Sequence, residues 1–101
     1  MAIVKNILPV VSVIATNTPL VSSAEDRGRK RSAILIQNMY TGLDLDLQFD
    51  NAWLAGSKSQ ILLRPGETYI DQENAHGEVF QGSYFGTSVG TTVNIIEDLY
   101  S

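Results

Sequence analysis

Three aspartates, Asp44, Asp46 and Asp50, share a segment whose alternate places are filled by Leu43, Leu45, Leu47 and Phe49. In an extended strand this alternation puts the carboxylates on one face, with neighbours about 6.5–7 Å apart, and the apolar side chains on the other. Clustered carboxylates invite a cation, but calcium needs about 6–8 oxygens from a looped arrangement, which a straight strand does not offer. The expectation is therefore no metal, with the acidic face solvated or paired with Arg29, Arg31 or basic residues of a neighbouring molecule. His76 is the only histidine, lies beside Gly77 in a turn-like stretch, and has no cysteine anywhere in the chain to activate. Glu67, Asp71, Glu73 and Glu78 are close enough in sequence to suggest a paired-carboxylate hydrolase, yet such clustering is ordinary at a pI near 4.7. Gly82, Gly86 and Gly90 are spaced by four, with no nearby lysine and no helix to follow, so they make no phosphate cradle. The residues point away from an enzyme and away from any cofactor.

Binding chemistry is better represented. Arg27, Arg29, Lys30 and Arg31 hold four of the seven Lys and Arg residues and precede an apolar run. At a strand mouth they are candidates for docking onto an acidic protein surface. The net charge of −4 argues against a nucleic-acid partner, which would require a general positive field. Trp53, between Ala52 and Leu54, is the first candidate for an interface anchor. The remaining aromatics divide between filling a small core and stacking on sugars. A receptor- or carbohydrate-binding module is thus the alternative to a purely structural role.

These side chains need elements to hold them. A chain of 101 residues, 44% hydrophobic and 18% charged, suits one domain stabilised by packing without disulfides. Short apolar runs alternate with turn signals, and no 3.6-residue period persists, so the reading is all-β. Residues 1–101 form a single antiparallel β-sandwich or small barrel of about seven to eight strands, jelly-roll-like or immunoglobulin-like. Strands are expected at 10–16, 20–23, 32–39, 43–50, 60–63, 68–70, 78–81 with 84–85, and 91–96, the last ended by Glu97 and Asp98. Residues 24–31 read as a loop. Pro65-Gly66 suits the central pair of a type II turn.

Lys5 and the apolar stretch 7–15, followed by Val21-Ser22-Ser23-Ala24, imitate a secretory leader. Pro9 and Ser12 interrupt the stretch, which is also too short to span a bilayer. Residues 1–16 instead read as an N-terminal strand or arm. Its apolar character on both faces suits a central strand or a subunit contact, with Val11 and Val13 as candidate contact residues.

The succession Arg29-Lys30-Arg31-Ser32-Ala33-Ile34-Leu35-Ile36-Gln37-Asn38, Ile61-Leu62-Leu63-Arg64-Pro65-Gly66-Glu67, Gly77-Glu78-Val79-Phe80-Gln81-Gly82 and Val93-Asn94-Ile95-Ile96-Glu97 resembles small β-domain virion proteins of tailed bacteriophages. Those occur as head decoration or cement proteins, with related modules in tails and fibres. This chain departs from them at Met39-Tyr40-Thr41-Gly42, where they carry a short glycine-containing hairpin. The resemblance implies a structural virion protein on the outer capsid surface. Its partners would be copies of itself and a major capsid protein, with no membrane and no catalytic residues. A tail, neck or fibre-associated binding module is the variant it also allows.

Overall fold

The structure, a computed structural model, describes residues 2–8, 11–14, 18–49, 60–87 and 89–100. Nine strands lie among them: β1 (Ile3–Ile7), β2 (Val11–Ser12), β3 (Thr18–Val21), β4 (Lys30–Asn38), β5 (Leu45–Phe49), β6 (Gln60–Leu63), β7 (Thr68–Gln72), β8 (Tyr84–Gly86) and β9 (Thr92–Tyr100). The first sheet has the order β1-β9-β4-β7, with β2 also on β9, and the second has the order β3-β8-β5-β6. Every pairing is antiparallel.

β1 and β2 lie in line along the same flank of β9, opposite Tyr100 to Ile96 and then Val93 and Thr92. Leu8 carries the pairing on by donating to the Ile95 carbonyl. Counted as one interrupted strand, they leave eight strands paired first with last, second with seventh, third with sixth and fourth with fifth. That is one long antiparallel hairpin rolled into two facing sheets, the jelly-roll order among the two topologies expected. The two strands joined by the 13–17 connection belong to different sheets, as do those joined by 22–29, so the sheets are stitched by the chain itself.

The core follows from period-two alternation. β4 turns Ile34 and Ile36 inward and β9 turns Val93, Ile95, Glu97 and Leu99 inward, against Leu45 and Leu47 of β5. Phe49, Tyr69, Phe80 and Tyr84 pack edge to face, with ring centroids 5.2–6.2 Å apart. Asn38, fully buried at the end of β4, donates to the carbonyls of Leu43 and Leu63 and accepts from the Tyr40 amide, so one amide ties the two sheets. The Pro65-Gly66 turn forms as expected: Gly66 has φ +83° and the Glu67 amide donates to the Arg64 carbonyl.

Some elements differ from expectation. The 10–16 strand reduces to Val11–Ser12 among described residues, because the chain there leaves the first sheet for the second. The last strand does not stop at Glu97; it runs on to Tyr100. Residues 78–81 are no strand. They cover the end of β4 by side chain instead, the Gln81 amide accepting from the Arg31 N–H and donating to the Arg31 carbonyl as a neighbouring strand would.

Candidate functional site

The basic segment divides in two on folding. A bulge between Arg31 and Ala33, opposite Leu99 and Asp98, shifts the phase of β4. Without it Arg31 would share the outer face with Ala33 and Leu35; with it the side chain points inward and is completely buried. Its guanidinium donates to Glu97 at 2.9 Å, to the carbonyls of Phe80 and Gly82, and to the Ser22 carbonyl. It also lies 5.5 Å from the Tyr84 ring centroid. Arg27 reaches the same carboxylate through both terminal nitrogens, at 2.8 and 2.6 Å, and Asn6 of β1 adds a third donor. Burial alone would raise the Glu97 carboxyl, but these bonds from Arg27, Arg31 and Asn6 outweigh it and hold it below the ordinary value. The arrangement is a brace joining β1, β4, β9 and both loops of this end.

Arg31 is therefore not a docking residue: its charge is enclosed and matched. Arg27 is committed to the same brace at the edge of it. Arg29 and Lys30 stay exposed, Lys30 stacking over Tyr100 at 5.6 Å. Val13 is likewise no contact residue, being buried in the core beside Leu20 and Gly86. Val11 is half-buried and packs against the core. Trp53 lies outside the described residues, as does Asp50.

The acidic candidates do not converge. Asp44 is exposed and Asp46 half-buried on β5, and Arg31 answers Glu97 instead of them. Glu67 accepts from the Arg64 amide, Asp71 from the Phe80 amide, Glu73 from the Tyr100 hydroxyl and Glu78 from the Asn74 side chain. His76 is an exposed member of a turn organised by the Asn74 side chain, which accepts the His76 and Glu78 amides. Among the described residues no three carboxylate or imidazole groups gather at metal-binding distance. The aromatic Tyr84 is a core side chain, and the half-buried Phe49, Tyr69 and Phe80 pack against it and the core.

What the surface does gather is apolar. Across the outer face of the first sheet, Ile7 stands opposite Ile96, Ile96 opposite Leu35 and Leu35 opposite Ile70. The row crosses all four strands, with Ile7 67% and Ile70 59% exposed at its ends. Beside it runs the row Lys5, Asp98, Ala33 and Gln72, in which Lys5 and Asp98 pair at 3.0 Å. The small Ala33 leaves a shallow hollow of about 210 Å³ between these rows. Ile3 and Tyr100 follow, Ile3 again exposed. Sequence reasoning missed this face because each residue belongs to a different strand and only the register aligns them.

A second apolar patch occupies the end of the sandwich opposite the ionic brace. The loops after β2, β4 and β8 carry exposed Ile14, Met39, Tyr40, Leu43 and Val89 there. A hollow of about 400 Å³ opens beside it between residues 37–41 and Pro65-Gly66. The chain matches no protein-family model, no curated protein and no solved structure.

Proposed function

We propose that this chain is a structural subunit of a tailed-phage particle, a decoration or cement protein that stabilises the head by packing against copies of itself and against the major capsid protein. The observation that carries the reading is the placement of exposed apolar side chains. Among the described residues, eight of the ten large exposed hydrophobics fall on the outer face of the first sheet or at one loop end. Contiguous apolar patches on a small domain mark contact surfaces. Of the titratable groups, in contrast, Glu67, Asp71 and Glu78 bond turns and loops, and Arg27, Arg31 and Glu97 form the internal brace. Jelly rolls serve both as capsid subunits and as lectins, so the fold leaves the choice to the surface. Among the described aromatics Phe49, Tyr69, Phe80 and Tyr84 pack against one another toward the core, while Tyr40 and Tyr100 stand apart at the surface, so no cluster of exposed rings offers a sugar platform, which favours assembly. The particle class itself rests on the sequence resemblance to virion β-domains.

The test is the mass of the purified protein by light scattering, alone and mixed with particles that lack it. Self-association or capture by the particles supports the reading; a chain that stays monomeric and unbound in both conditions overturns it.

A further inference from the structure

We infer that the outer face of the first sheet is a contact between two copies of this chain, laid face to face about a twofold axis parallel to the strands between β9 and β4. The inference rests on the assembly reading above and deepens it by naming the surface and its occupant.

Three properties of the face select a second copy. The first is its self-complementary pattern. Rotation about such an axis places Ile7 of one copy over Ile70 of the other and Ile96 over Leu35, so the apolar row covers itself along its whole length. The second is charge. The same rotation sets Lys5 over Gln72 and Asp98 over the hollow at Ala33, so no like charges meet, and the Lys5–Asp98 pair leaves the row neutral. A chain of net charge −4 gains from meeting itself at its neutral face. The third is area. β1 and β7 have five residues each and β4 and β9 nine. At about 3.3 Å per residue and 4.8 Å between strands, the face covers about 450 Å² in plan. A pair thus buries about 900 Å², less than the roughly 1,200–2,000 Å² of stable specific interfaces and in the range of weak, transient contacts. The contact is sufficient for a concentration-dependent dimer, which crowding of subunits on a particle would complete.

The experiment measures the dissociation constant by sedimentation equilibrium over a concentration series. Ile70→Lys changes an exposed residue and strikes both symmetry-related contacts, and it is expected to weaken the dimer on the order of 100-fold. Ile7 and Ile70 lie three strand spacings apart in one copy, about 14 Å, and do not touch within it. The double variant Ile7→Lys with Ile70→Glu creates Lys–Glu pairs only across the proposed contact. It is expected to bind at least about tenfold more tightly than the two single effects together would allow. Val89→Lys, at the loop end, is expected to leave the constant unchanged. Circular dichroism melts confirm that each variant folds.

A dimer insensitive to Ile70→Lys, or one weakened only by Val89→Lys, overturns the inference while self-association still stands. A dimer weakened by Ile70→Lys, with the double variant no tighter than the Ile7→Lys and Ile70→Glu single variants together would allow, overturns the twofold arrangement. A wild-type chain that is monomeric throughout overturns the inference, and capture by particles lacking it then judges the assembly reading separately.

Discussion

Replacing Glu97 by glutamine isolates the buried ion cluster of this fold, whose energetics are dominated by charge. The substitution keeps shape and an acceptor oxygen but removes the negative charge between two guanidinium groups. Arg31 has no route to water, since its side chain is completely buried and enclosed by the carbonyls of Ser22, Phe80 and Gly82. An enclosed cation without its counter-charge costs about 3–5 kcal/mol. Arg27 retains 28% side-chain exposure and can turn outward, so its share is nearer that of a surface pair, below about 1 kcal/mol. The expected loss is therefore about 3 kcal/mol, a large part of the roughly 5–15 kcal/mol that holds a domain together. Urea unfolding reads this as a midpoint about 2 M lower, given slopes of about 1–3 kcal/mol/M.

Arg31→Met removes the cation but also leaves the Phe80 and Gly82 carbonyls without this donor, at about 1 kcal/mol each, while the Ser22 carbonyl keeps its bond from Arg27. The double variant should then cost little more than Arg31→Met alone, with a coupling of about 2 kcal/mol between the two sites. A loss under about 1 kcal/mol for Glu97→Gln, or strictly additive effects, would refute the account of the brace.

Three other outcomes follow from the same geometry. The folded Glu97 carboxyl titrates below its ordinary value of 4.5, so its contribution is complete above that pH and is lost as pH falls through the lower folded value; the wild-type urea midpoint should drop on acidification, and the Glu97→Gln midpoint should drop less. Burial raises the Tyr84 phenol above its ordinary 10.0, aided by the Tyr69 hydroxyl; its phenolate absorbance should appear only as the chain unfolds in alkali, and a titration completed before unfolding would contradict this. Gly86→Ala places a Cβ 2.8 Å from Val13 Cγ2 and 3.4 Å from Leu20, and the overpacking should cost about 1–3 kcal/mol in urea unfolding; no change would mean that Val13 can withdraw.

The alternation around Leu45, Leu47 and Phe49 and the Pro65-Gly66 turn were legible because each is a local pattern. One face is apolar, one turn needs a positive φ, and neighbouring residues say so. The apolar run Ala33-Ile34-Leu35-Ile36 also revealed a strand, but only the register shows that Ile34 and Ile36 turn inward while Leu35 looks outward. β1 fell within the 1–16 segment read as a strand or arm, but its own bounds did not show. Val4 and Asn6 lie on one side of it and Ile3, Lys5 and Ile7 on the other, and Val4 stays exposed, so polarity is mixed on both faces and no period emerges. The basic cluster was visible, but its meaning was not. One extra residue in β4 reverses the direction of Arg31, and the glutamate that receives it lies 66 positions along the chain.

That reversal changes what the rest of the molecule is free to do. Glu97 read as a strand terminator is instead the inward anchor of β9, and the residue before it, Ile96, stands on the opposite face at the middle of the exposed apolar row. Adjacent residues of one strand thus divide two tasks: Val93, Ile95, Glu97 and Leu99 hold the sandwich, while Ile96 and Asp98 face outward. β1 is divided the same way, with Asn6 bonded to Glu97 inside and Ile7 opposite Ile96 outside. The brace consequently fixes the edge strand that completes the row. Two of the four positive charges that looked like a docking patch in the sequence, Arg27 and Arg31, are the internal support for the apolar surface on the other side of the same sheet, while Arg29 and Lys30 stay exposed.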